Sequence, residues 1–183
     1  MFATAALTAM RKGEVLRLRE KDIDFQYKKI SVIKNVANIK GHVYLSDVKT
    51  DSSRRRISID DQLLSILSHQ MKYNKKMQLQ YGSAYKNEEG IIFAHPNGSL
   101  YAPSGLNYYF NLYIKEIGLP KITLHGLRHT HATLLLKMGA NTKIVSERLG
   151  HSTIHMTLDT YSHVLDDMQE EVVQIFSKNL KIL

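Results

Sequence analysis

The sequence predicts an α+β domain, mostly helical with one small antiparallel three-stranded sheet. Apolar residues recur at helical spacing through most of the 183 positions, while strand-like alternation is confined to residues 28–59. The 43% hydrophobic and 23% charged content is ordinary for a globular chain, and the length suits one well-cored domain.

Residues 2–19 read as a helix, with Leu7, Met10, Leu16 and Leu18 among its apolar positions around the step RKGE. Its opening, MFATAALTAM, lacks a basic leader and is too short to span a bilayer, so it reads as neither a signal peptide nor a membrane helix. Three segments of strand character follow, KKISVIKNV, HVYLSDV and RRRISI. Gly41 separates the first pair and TDSS supplies turn chemistry between the second and third, predicting a meander with Lys49 at the mouth of its second turn. From Asp60 a capped helix runs to Gly82, then a short strand IIF and the turn HPNGS. A helix after Pro103 ends at Gly118, another ends at Gly139, and a third over 141–149 closes at Gly150. A final amphipathic helix over about 167–180 carries Met168, Val172, Ile175, Phe176 and Leu180 on one face.

The formal charge of +8 and pI near 9.5 suggest an anionic partner, of which nucleic acid is the commonest. Positive charge gathers early, at Arg11, Lys12, Arg17, Arg19, Lys49 and the run Arg54-Arg55-Arg56. Residues 159–171 hold Asp166, Asp167 and Glu170 without a lysine or arginine, so this segment should face away from phosphates. Without cysteine, disulfides and thiolate metal sites are excluded, which fits a reducing compartment.

The stretch HGLRHTHATLLLKMG sets three histidines and an arginine at a helix start. His125 and Arg128, three apart, project from one face and can converge on one anion, helped by backbone N–H groups at the same helix end. A zinc site on His125, His129 and His131 is the first alternative, although no HExxH pattern or nearby carboxylate supports it. A polar helix end facing water is the second.

Further on stands LGHSTIHMTLDTYSHV, with Tyr161 ten residues after His151, and near the start stands AMRKGE. Together these strings resemble the tyrosine recombinase family, the phage-type integrases. HGLRHTHATLLLKMG, NTKIVSERLGHS and TLDTYSHV are most similar to the branch carried by phages and integrative elements of Gram-positive bacteria. The resemblance covers essentially the whole chain, in the right order and spacing. It implies that residues 1–183 form the catalytic domain, with the family's N-terminal core-binding and arm-binding domains absent from this chain.

Carried over by position, the resemblance implies a catalytic set of Arg11, Lys49, His125, Arg128, His151 and the nucleophile Tyr161, with Glu14 orienting Arg11. Ala9 stands where the family more usually has glycine, a minor departure. The implied activity is site-specific cleavage and rejoining of DNA through a 3′-phosphotyrosyl link, needing no metal or nucleotide cofactor. The chemistry suits the residue types. A phenol attacks phosphorus in line and conserves the bond energy for rejoining. Guanidiniums such as those of Arg11 and Arg128 stabilise charge on the nonbridging oxygens. Lys49 is expected to protonate the leaving 5′-oxygen, His125 to take the phenol proton, and His151 to hydrogen-bond the phosphate or position the attack.

Other residues receive blander readings. His129 and His131 are expected to pack or hydrogen-bond beneath the site, and His155 and His163 to be exposed. Arg54, Arg55 and Arg56 are expected on a solvated strand edge touching DNA backbone phosphates. The implied partners are double-stranded DNA attachment sites, a homotetramer on synapsed DNA built from monomers, and a directionality factor. The final helix is expected to dock into a neighbouring protomer. The implied setting is the bacterial cytoplasm at the nucleoid, encoded by a phage or mobile element, with no membrane. A different class remains open: a non-catalytic DNA-binding module derived from a recombinase.

Overall fold

The computed structural model describes residues 1–39, 42–47 and 54–179; of residues 34–39, 42–47, 163, 165–171, 175 and 179 it describes the backbone alone. The first predicted helix is two: α1 (Phe2–Thr8) and α2 (Lys12–Val15). They are separated because Ala9 adopts the left-handed conformation at φ 55 and Arg11 is extended. An L-residue held there costs about 1–2 kcal/mol, which gives a physical reason for glycine at this position and makes the methyl of Ala9 more than a minor departure. The Glu14 carboxylate accepts the Arg11 backbone N–H at 2.7 Å and restarts the helix.

The three-stranded antiparallel sheet is present, but its strands differ from the expected meander. Its order is β1 (Ile23–Asp24), β2 (Lys29–Val32) and β5 (Arg55–Ser58). The segment KKISVIKNV divides at Ile33, so that β3 (Lys34–Ile39) pairs instead with β4 (His42–Asp47) in a separate two-stranded ladder. Alternation explains the choice: Ile30 and Val32 point inward, and Ile30 sits opposite the buried Ile57. Of the expected strand IIF only Ile91 pairs, in an isolated bridge with Arg19, and Ala94 just beyond it bridges Leu100. Ile91, Ile92 and Phe93 are nonetheless buried, and the Asn74 side-chain amide donates to the carbonyls of Ile91 and Ile92.

The later helices are α3 (Asp61–Tyr81), α4 (Pro103–Glu116), α5 (Leu124–Lys137), α6 (Thr142–Leu149) and α7 (Ile154–Asn179). Asp60 caps α3, Thr123 caps α5 and Asn141 caps α6 through their side-chain oxygens. The last helix starts well before the expected residue 167 and contains a non-helical kink at Tyr161. Beyond the kink Val172 and Phe176 are exposed; Met168, Ile175 and Leu180 lie outside the described side chains. Among the described residues no helix is long and apolar enough to cross a membrane.

The main core joins α1, the three-stranded sheet, α3 and α4. A second core, of Ala9, Ala132, Leu136, Val145, Leu149, Tyr161 and Val164, ties the α1–α2 break to α5, α6 and α7. Burial of these groups is what brings the separated sequence motifs to one place.

Candidate active site

The C-terminal end of α6 is the hub. A helix leaves its last carbonyls without intrahelical partners and with a partial negative charge. Three successive carbonyls here each accept from a different arginine. The Arg148 oxygen takes the Nε–H of Arg55 at 2.8 Å, the Leu149 oxygen takes Nη2 of Arg128 at 2.6 Å, and the Gly150 oxygen takes Nη2 of Arg11 at 3.2 Å. The second Nη of Arg128 donates to the Ala9 carbonyl at 2.7 Å, an oxygen that the left-handed turn frees. Arg128 is buried, so its two carbonyl bonds fix the guanidinium rather than leave it to wander.

Glu14 is buried beneath this frame. Arg55 grips it in a fork, Nη1 to Oε1 at 2.9 Å and Nη2 to Oε2 at 2.8 Å, and Arg11 adds Nη1 to Oε1 at 3.1 Å. Burial alone would raise the Glu14 carboxyl, but Arg55 and Arg11 outweigh it and hold it below its ordinary value. Three guanidiniums, those of Arg11, Arg55 and Arg128, thus face one carboxylate. The excess is positive, as a phosphate site requires. Burial first, then Arg11 and Arg55, pushes Arg128 down to about 10, which leaves it protonated at neutral pH.

Gly150 makes the close approach of α6 to Arg55 possible. It ends the helix at φ 68, and a Cβ there would lie 2.8 Å from Nη1 of Arg55. Arg55 therefore departs from the expected solvated edge: its side chain is only 6% exposed and belongs to the interior. Arg54 and Arg56 do lie outside, with Arg56 paired to Asp24 at 3.2 Å. The alternation of β5 was the available signal, since Arg55 shares the inward face of Ile57.

His125 is exposed at the start of α5, where it joins Arg11, Lys12, Asn107, Asn111 and Arg128 in lining a cleft of about 490 Å³. Burial, together with His129, Arg128 and Arg11, lowers its pKa. His151 follows Gly150, its Nδ1 2.8 Å from the Thr157 hydroxyl. Burial and then Arg128, Arg11, Arg55 and His129 push it down to about 4, so it is neutral at pH 7. With the Thr157 hydroxyl donating to Nδ1, the Nε2 proton is left to give to an anion.

Tyr161, at the kink of α7, is buried at 3% exposure, and its hydroxyl lies 3.0 Å from Nδ1 of His129. Burial raises the phenol and Arg128 pulls it back. His129 was expected to pack or hydrogen-bond beneath the site, and its hydrogen-bond partner is the Tyr161 hydroxyl. His131 does have a supporting place, with Nδ1 2.8 Å from the Ala6 carbonyl and Nε2 accepting from Nε of Arg148 at 3.0 Å. His155 is exposed. Lys49 and the side chain of His163 lie outside the described residues. Among the described residues no group of three or more histidine, aspartate or glutamate side chains is placed to hold a metal ion.

Residues 1–168 match the phage integrase family. The chain is 34% identical over 177 residues to the integrase of Staphylococcus phage L54a, covering 94% of this chain and 49% of that protein. It is 30% identical over 174 residues to the ICEBs1 integrase of Bacillus subtilis, covering 93% and 46%. The chain thus spans about half the length of the curated relatives it matches. Among solved structures, the Tn1549 transposon integrase in complex with transposon right-end DNA superposes with a TM-score of 0.79 at 25% identity, covering 96% of this chain and 58% of that one. XerA recombinase, at 21% identity and a TM-score of 0.70 over 92% of this chain and 55% of its own, shares the fold.

Proposed function

Because this chain belongs to the phage integrase family, we propose that it is the catalytic domain of a site-specific recombinase that cleaves and rejoins DNA through a 3′-phosphotyrosyl intermediate on Tyr161. The observation that carries the reading is the cage of three guanidiniums on the last carbonyls of α6, electrostatically coupled to the Tyr161 phenol through Arg128. The scissile phosphate enters the cleft lined by Arg11, His125 and Arg128. Arg128 has five N–H donors and spends two on carbonyls, so donors remain for nonbridging oxygens. Glu14 and Arg55 position Arg11 and the α6 end and touch no substrate. His151 donates from Nε2. Lys49 protonates the leaving 5′-oxygen.

Tyr161 is buried in this state, so DNA loading must bring its hydroxyl and the phosphate together, with the kink in α7 as the place where the helix yields. Arg54 and Arg56 contact backbone phosphates outside the cleft. The working assembly is a homotetramer of DNA-bound protomers, with the end of α7 docking on a neighbour. A directionality factor biases the reaction, and the protein acts in the bacterial cytoplasm at the nucleoid.

The test is a nicked suicide duplex carrying candidate attachment sites, whose short 5′-hydroxyl fragment diffuses away after cleavage. A covalent protein–DNA adduct is expected, abolished by Tyr161→Phe with DNA binding retained. DNA binding without any adduct from the unmutated chain would favour a non-catalytic DNA-binding module.

A further inference from the structure

Resting on the reading of Tyr161 as nucleophile, we propose that His129 is the base that takes the phenol proton when Tyr161 attacks and returns it when the strand is rejoined. His129 and Tyr161 are 32 residues apart in sequence and come from different helices, so their 3.0 Å contact is a tertiary one, set by the packing of α5 on α7. Among the described residues the phenol oxygen has no other hydrogen-bond partner. Tyr161 is buried as a member of the second core.

The other imidazoles are less well placed. His151 is committed through Nδ1 to Thr157. His125 faces the cleft and meets His129 edge-to-face, ring centres 4.5 Å apart at 87°. The two lie four apart on α5 and so stack along one face, with His129 on the inner side of the pair. That arrangement gives a proton on His129 a neighbour open to solvent.

The step balances. In the tautomer with its proton on Nε2, His129 accepts the Tyr161 proton at Nδ1 as the phenol oxygen bonds to phosphorus. The bond from phosphorus to the 5′-oxygen breaks, and that oxygen takes its proton from Lys49. Rejoining reverses each transfer. Arg128 beside Tyr161, and His125 and His151 beside His129, are the charged or titratable groups around the pair. The charge of Arg128 favours the phenolate, and the proton leaves as the phenol oxygen develops bonding to phosphorus.

The test compares the intact protein with His129→Gln, which keeps a polar side chain of similar reach but cannot hold the proton. Single-turnover adduct formation on the suicide duplex is followed from about pH 5.5 to pH 9, with tyrosine or 3,5-difluorotyrosine at position 161. The expected result is a loss of about 10²-fold or more at neutral pH. The acidic difluorophenol, needing no base, should recover most of that loss. An adduct rate within about threefold of the unmutated protein, a faster rate, or no recovery with difluorotyrosine overturns the inference. A faster rate would mean that His129 only latches the phenol in its buried position. An adduct that survives Tyr161→Phe overturns instead the reading on which the inference rests. If His129→Gln does not fold, His129→Asn decides by the same comparison of tyrosine with 3,5-difluorotyrosine at position 161.

Discussion

Replacing Arg55 by alanine should cost the fold far more than any exposed arginine would. The side chain is 6% exposed and its partner Glu14 carries a side chain 1% exposed, so solvent screens little of their interaction. Two charge-assisted bonds to Glu14 and one to the Arg148 carbonyl disappear together. Glu14 is then left in the interior with Arg11 alone. Removing one member of a buried pair costs about 3–5 kcal/mol, much of it the penalty of the charge left behind. For a domain of this size that lowers Tm by roughly 6–20 °C, at about 2–4 °C per kcal/mol. Urea unfolding followed by circular dichroism would measure it. The double change Glu14→Gln with Arg55→Met should cost less than the sum of the single changes, because neither charge is then stranded. A loss below about 1 kcal/mol for Arg55→Ala, or strict additivity in the double variant, would refute the assignment of Arg55 to the interior. The pair also has a pH signature. Glu14 titrates lower in the folded state than in the unfolded chain, so its stabilisation is complete above the ordinary value of 4.5 and fades as the pH falls through the depressed folded value.

Gly150→Ala should destabilise by at least about 1–2 kcal/mol from the left-handed backbone alone, and should also displace Arg55; an alanine variant as stable as the parent in thermal melts would contradict this. His151 is held down to about 4 when folded, so between pH 6.5 and 4 the unfolded chain binds a proton that the folded one refuses. Stability should therefore fall with acid across that window, and His151→Gln should flatten the slope measured by urea titration at several pH values. Raising salt from about 50 to 200 mM should weaken DNA binding at least tenfold through counterion release, and fluorescence anisotropy that is flat across the range would remove the basic-face account. Arg11→Ala or Arg128→Ala should slow single-turnover cleavage by about 10²-fold or more, as loss of a preorganised donor to transition-state charge requires.

Local signals carried most of the architecture. Asp60, Thr123 and Asn141 announce helix starts through their own side-chain oxygens, and Gly150 announces a left-handed helix end. The motif residues were visible because their types and spacings recur as a set, and the structure gathers Arg11, Arg128 and His151 around the end of α6. Tertiary pairings were harder to see. Nothing local to Arg55 names Glu14, 41 residues away, as its partner; only the two-residue period of β5 hints that Arg55 turns inward with Ile57. The break at Ala9 was hidden because alanine is a strong helix former, and here tertiary bonds to its freed carbonyl override that preference. The strand partition at Ile33 was ambiguous because KKISVIKNV alternates well on either side of it. His129 was expected to pack or hydrogen-bond beneath the site, and its i, i+4 relation to His125 sets both on one face of α5; that its partner is Tyr161 depends on how α5 meets α7.

Digesting the trapped protein–DNA adduct and sequencing the DNA-bearing peptide by mass spectrometry tests the proposed chemistry at the bond itself. The account predicts a phosphodiester joining the Tyr161 phenol oxygen to the 3′ end of the cleaved strand, formed equally well with EDTA present. A linkage on any other residue, attachment to a 5′-phosphate, or cleavage that ceases with EDTA would contradict it.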